Sequence, residues 1–145
     1  MTSAECCALE PYFSQEEIKS TGAKIEDIQP ELFKKLLVFR KDIDRSIRLL
    51  HGGITTGSHK SAEHPEGRAC DFCLEAADGP VDAYYIYKRL IDAGFNRIGV
   101  YFNGTTWSFH AAYGPRSGFW SGRKKARGTP WVYDKLRFDL PELLK

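Results

Sequence analysis

The residues whose types and spacing speak most directly of chemistry lie in one short segment, Ser61-Ala62-Glu63-His64-Pro65-Glu66-Gly67-Arg68-Ala69-Cys70-Asp71. His64 falls in a loop, and Gly67 permits a reversal that a side chain would hinder. Asp71 then projects from the strand entered after Ala69. A turn inside this spacing can bring an imidazole and a carboxylate onto one ion. Neutral imidazole with a carboxylate oxygen is a ligand pair that zinc accepts. Taken singly, each residue has an ordinary alternative, a hydrogen-bonded loop histidine and a capping aspartate.

The segment resembles the H-x-x-G-x-A-x-D signature of the zinc D-Ala-D-Ala carboxypeptidase and murein endopeptidase family. That family includes D-Ala-D-Ala dipeptidases and phage L-alanyl-D-glutamate endopeptidases. Ile54-Thr55-Thr56-Gly57 is similar to the strand end that precedes the family's first ligand, and Arg97-Ile98-Gly99-Val100-Tyr101 to its later G-[IV]-G-x-Y strand. Thr106-Trp107-Ser108-Phe109-His110 follows in matching order. The resemblance covers roughly residues 30–120. It implies zinc held by His64, Asp71 and His110, in a Hedgehog/DD-peptidase-like fold with helices packed on one face of a sheet. It further implies a zinc-dependent metallopeptidase acting on peptidoglycan stem peptides, as a D,D-carboxypeptidase or an L-alanyl-D-glutamate type endopeptidase. Three protein ligands would leave the fourth position to water, whose pKa zinc lowers to about 7.

The chain departs from that pattern at two places. Relatives carry a carboxylate three residues before the third ligand or two after it; here Trp107 and Ala112 stand there, and neither can accept a proton. The nearest acids in sequence are Glu63 and Glu66, flanking His64, which makes them the local candidates for a general base. The family's arginine for a substrate carboxylate is also missing. Ser58-His59-Lys60 occupies the equivalent stretch, so His59 or Lys60 would supply the cation, without arginine's bidentate fork. A zinc-bearing binding domain without hydrolytic activity is the alternative, since the Hedgehog signalling domain puts a similar scaffold to binding.

The elements that must position these residues are legible in part. Ser14-Gln15-Glu16-Glu17 is a capping-box pattern opening a short helix over residues 14–20. Pro30 opens a longer one. Leu32, Leu36, Phe39, Ile43, Ile47 and Leu50 recur at spacings of three and four, predicting one helix that Gly52-Gly53 stops. Residues 54–56 and 68–74 read as strands, and 81–93 as a helix closed by Gly94. Residues 97–102 and 106–113 read as strands joined through Asn103-Gly104, a hairpin dipeptide. Residues 131–133 add an edge strand and 140–144 a terminal helical turn. Helices first, then strands with one helix between them, predict an α+β fold with a mainly antiparallel sheet.

At 145 residues, with no repeat or low-complexity linker, the chain predicts one domain over 1–145. A net charge of +2 makes nucleic acid an improbable partner on charge alone. The basic run Arg123-Lys124-Lys125-Ala126-Arg127 reads as a solvated loop, with a nucleic-acid or anionic-glycan patch as the alternative. No stretch approaches the roughly 18 apolar residues of a membrane span. The first seven residues lack a basic region followed by an apolar core, so synthesis in the cytoplasm is expected. Action on a cell wall would then need release of the phage-lysin kind. Four cysteines, two adjacent (Cys6, Cys7) and two three apart (Cys70, Cys73), do not form a secreted disulfide pattern and read as reduced thiols. Cys6 and Cys7 read as a mobile tail. Among Trp107, Phe109, Phe119, Trp120 and Trp131, some must be core, and one or two would wall a cleft beside the metal.

Overall fold

The structure, a computed structural model, describes residues 1–57, 59, 61–126 and 128–135. Four helices, α1 (Ser3–Cys7), α2 (Gln15–Ser20), α3 (Pro30–Ile43) and α4 (Ala83–Asp92), accompany six strands. The strands are β1 (Ile47–Leu49), β2 (Ala69–Leu74), β3 (Arg97–Phe102), β4 (Trp107–Ala112), β5 (Gly118–Arg123) and β6 (Val132–Lys135). They form one sheet in the order β1-β2-β4-β3-β5-β6. Only β3 and β5 run parallel; the other pairs are antiparallel. The fold is α+β, as the order of elements predicts.

Strand side chains alternate between faces, and the two faces have opposite characters. Ile47, Leu49, Cys70, Phe72, Leu74, Ile98, Val100, Phe109 and Ala111 are buried together with the apolar stripe of α3 and with Ile86 and Leu90 of α4. The residues between them, Asp71, Gly99, Tyr101, Ser108, His110 and Trp120, therefore share the other face. Cys70 and Cys73 consequently face opposite ways, and all four cysteines are free thiols.

Several expectations change. The apolar stripe from Leu32 to Leu50 is not one helix. Pro30 sets the first turn, but α3 ends at Asp44, whose backbone adopts φ 49 and ψ 46, the left-handed conformation of a helix terminus. Ile47 and Leu49 then reach the same core by alternation, opposite Leu74 and Phe72. Spacings of three and four cannot tell a helix from a helix followed by a strand that returns to the same core. The Arg45 guanidinium secures this reversal, donating to the carbonyls of Glu75, Gly79 and Pro80 at 2.8–3.0 Å.

Residues 54–56 form no strand; they are bends, while residues 50–53 carry the pairing onward through Asp71 N–H to Gly53 O at 2.7 Å and Leu50 N–H to Asp71 O at 3.1 Å. Residues 118–123 join the sheet as β5, so Arg123 lies on a strand rather than in a solvated loop. Two glycines and no aliphatic β-branched residue hid that strand from a propensity reading. Lys124 stands over the Trp131 ring at 4.7 Å, and Arg127 lies outside the described residues. Cys6 belongs to α1 and is fully buried, so the N-terminal segment is packed rather than a tail. Thr2 and Glu5 form the capping box that starts α1. The terminal turn over 140–144 lies outside the described residues. No helix among the described residues is long and apolar enough to cross a membrane.

Candidate metal centre

Three elements deliver the three side chains singled out by spacing and resemblance. Asp71 and His110 are direct partners across β2 and β4, so sheet register places both on the open face. His64 comes from the turn before β2. Gly67 there adopts φ +73, and a Cβ would run into the Asp27 carbonyl; its own carbonyl accepts from Gln29 N–H at 3.0 Å. The turn is thereby docked against the start of α3, which directs His64 back over the sheet.

The ligand atoms converge. His110 Nδ1 lies 3.0 Å from Asp71 Oδ1 and 3.1 Å from His64 Nε2, and His64 Nε2 lies 3.5 Å from Asp71 Oδ1. A tetrahedron with metal–ligand bonds of about 2.0–2.1 Å has edges of about 3.3–3.4 Å. These separations match that figure, so the donor set fits a zinc-sized tetrahedral ion. His64 Nδ1 lies 2.8 Å from Ile54 O. Since a carbonyl can only accept, Nδ1 donates to it and Nε2 is the ring nitrogen that faces the cluster. This is the outer hydrogen bond that fixes ligand tautomers in metal sites.

Asp71 completes the donor set as an anion. Burial pushes its carboxyl pKa up, but hydrogen bonds from His110 and His64 and the charge of those rings outweigh it and hold the value at about 2. Both histidines are buried and Asp71 is partly open to solvent. The open side of the cluster is a cleft of about 570 Å³ whose walls include His59, Ser61, Tyr101, Trp120, Trp131 and Tyr133. Burial pushes the Tyr101 phenol up to about 12, so its hydroxyl stays protonated. Trp120 Nε1–H donates to that hydroxyl. Gly99 is what permits this arrangement: a Cβ there would meet Trp120 Nε1 at 2.5 Å and Tyr101 Cε2 at 2.8 Å.

His59 does not stand out as a free cation. Its ring stacks on His64 with centroids 3.5 Å apart, and its Nε2 lies 2.6 Å from the carbonyls of Gly52 and Thr56. It also forms a grouping with His64 and Asp71 whose ligand atoms lie within 4.8 Å of one another. His64 and Asp71 are common to this grouping and to the one through His110, whose ligand atoms lie 3.0–3.5 Å apart. Lys60 lies outside the described residues.

Both acids that flank His64 are held in ion pairs. Glu63 is buried and ion-paired with Arg97, Glu66 is exposed and ion-paired with Arg68, and neither lines the cleft. Each carboxylate follows the nearest guanidinium, a choice no sequence spacing displays. Among the described residues lining the cleft, Asp71 is the sole carboxylate. Trp107 packs against the core and Ala112 is fully buried. Of the five aromatics expected to supply one or two cleft walls, Trp120, Trp131 and Phe109 line it, whereas Tyr101 and Tyr133 were not among the expected site residues. The alternation of Gly99 and Tyr101 along one strand was the available signal for Tyr101, whereas Trp120 depended on recognising β5. The chain matches no family model, no curated protein and no solved structure.

Proposed function

We propose that the protein is a zinc-dependent peptidase whose metal is held by His64 Nε2, Asp71 Oδ1 and His110 Nδ1. The observation that carries this reading is the mutual spacing of those atoms, 3.0–3.5 Å, at the floor of an aromatic-walled cleft. By the resemblance of the segments around His64 and His110, the substrate is a peptidoglycan stem peptide. Zinc held this way supplies Lewis-acid polarisation of a carbonyl and a water acidified to about pH 7.

The chain's own residues then have distinct tasks. Ile54 O locks the His64 tautomer, and β2–β4 register holds Asp71 and His110 in place. Tyr101 uses its hydroxyl oxygen to accept from Trp120, which leaves its own proton to be donated to an acceptor oxygen in the cleft. Trp120, Trp131 and Tyr133 give a peptide apolar walls. The test is metal analysis of the purified protein followed by assay on muropeptides, with loss of both zinc and turnover expected in His110→Ala.

One observation favours a second reading, a zinc-bearing peptide-binding domain without hydrolysis. Asp71 is the sole carboxylate among the described lining residues and is itself committed as a ligand. A protein that holds zinc and binds muropeptides without cleaving them in the zinc-loaded state would decide for this reading.

A further inference from the structure

Alternation along β5 places Trp120 and Gly122 on the open face of the sheet with Asp71 and His110, and Lys124 is the next residue in that series. The Lys124 N–H donates to Phe102 O at 3.1 Å, so its backbone is fixed against β3. Its ammonium lies 4.7 Å from the centre of the Trp131 ring. Trp131 in turn meets Tyr101 edge-on, with ring centroids 5.5 Å apart, and both line the metal cleft. Gly122 makes room for this packing: a Cβ there would meet Tyr101 Cδ1 at 2.6 Å and Trp131 Cε3 at 3.4 Å. A continuous row of side chains thus runs across one face, from His110 over Trp120, Tyr101 and Trp131 to Lys124.

Lys124 is half-buried and has no ion pair among the described residues. Two hollows adjoin it, of about 500 and 550 Å³, which share Gly104, Lys124 and Lys125. Phe102 and Val132 give the larger one apolar surface, and Arg123 and Lys125 add two more positive charges. No carboxylate stands among the described residues that line either hollow. A cation held against an aromatic face keeps its charge and gives up less freedom when it meets an anion than a free side chain does.

We propose that Lys124 is a specificity-determining residue that seats a carboxylate of the peptide substrate beyond the Trp131 wall. The peptide lies across the open face, with its scissile carbonyl at the metal, its chain over Trp131 and its acidic group on the ammonium. That carboxylate is remote from the scissile bond, because Trp120, Tyr101 and Trp131 stand between His110 and Lys124. The inference rests on the zinc peptidase reading of His64, Asp71 and His110, and adds to it that the substrate is an acidic peptide.

The experiment titrates zinc-loaded wild type, Lys124→Met and Lys124→Arg with muropeptides, read by tryptophan fluorescence, with zinc content and thermal melts of each. One series uses muropeptides with free carboxylates, the other the same muropeptides converted to primary amides. Wild type is expected to bind the free form about 10-fold more tightly than the amide. Lys124→Met, which keeps the aliphatic contact with Trp131, should lose that preference, and Lys124→Arg should retain it, with zinc content unchanged in both. A preference that persists in Lys124→Met overturns the assignment and leaves the zinc reading standing. Equal weakening of both forms in Lys124→Met would reduce Lys124 to a prop for Trp131 and also overturn it. A short single-stranded oligothymidylate bound as tightly as the free muropeptide, and released by Lys124→Met, would make this a general polyanion surface and overturn it too. Absence of any preference in wild type overturns it without a variant. Failure of wild type to bind zinc removes the metal reading and this inference together.

Discussion

Asp71 and His110 face each other across β2 and β4, and Asp71 Oδ1 lies 3.0 Å from His110 Nδ1. Alternation makes this pairing all-or-none. A slip of one residue would turn one partner into the core beside Phe72 or Phe109 and leave the other alone on the open face. The grouping of Asp71 and His110 is thus a consequence of sheet register, with His64 folded over it from the turn before β2.

The first prediction follows from that geometry. Purified protein should contain about one zinc per chain. His64→Ala and His110→Ala should each lose it, because two remaining ligands rarely hold the ion. Asp71→Asn should bind more weakly but not as weakly as either histidine variant, since an amide oxygen is a poorer donor without being none. Elemental analysis after extensive dialysis checks all three.

Acid should act on the site in a defined direction. The Asp71 carboxyl is held at about 2 in the fold, below its ordinary value of 3.8. A lowered carboxylate pKa means that the metal-free fold gains stability above about pH 4. It loses that stability as pH falls through the folded value towards 2. The gain amounts to about 2 kcal/mol. Denaturant titrations of metal-free wild type and Asp71→Asn between pH 2 and 6 should converge at the acid end. Zinc itself should leave at higher pH, as the histidine ligands protonate.

Gly99→Ala tests the close packing behind the cleft. Its Cβ would lie 2.5 Å from Trp120 Nε1 and 2.8 Å from Tyr101 Cε2. Overpacking of this kind costs about 1–3 kcal/mol. The displaced Trp120 should report the change as a shift in tryptophan emission. A variant with wild-type stability and emission would contradict the packing described here.

Tyr101→Phe keeps the ring and removes the donor. Zinc content and fold should persist, while muropeptide turnover falls about 10²-fold, the usual loss for one donor to a developing oxyanion. Turnover equal to wild type would take Tyr101 out of the site's chemistry.

Away from the site, Asp44 holds φ 49 at the end of α3, where a β-carbon is unfavourable. Asp44→Gly should raise stability by up to about 1 kcal/mol in chemical denaturation, with zinc binding untouched. No gain would mean that the aspartate side chain offsets its own backbone cost.

What the sequence by itself determined were local matters. Pro30 and the stripe through Leu32, Leu36, Phe39 and Ile43 were enough for α3, since a buried helical face must repeat near 3.6. Asn103-Gly104 and the flanking apolar residues were enough for the β3–β4 hairpin. His64, Gly67 and Asp71 were recognisable because a turn of that length needs its glycine where the chain reverses. Tertiary structure alone decided the rest. Ile47 and Leu49 continue the stripe in spacing yet form β1, because Arg45 and the left-handed Asp44 turn the chain. β5 exists only through its partners β3 and β6, and with it came Trp120 and the cleft wall. Glu63 and Glu66 stand beside His64 in sequence, but the directions of their side chains were set by Arg97 and Arg68. Arg97 is remote from Glu63 along the chain and Arg68 only two residues beyond Glu66; spacing cannot rank such partners, because ion pairs form where the fold brings charges together.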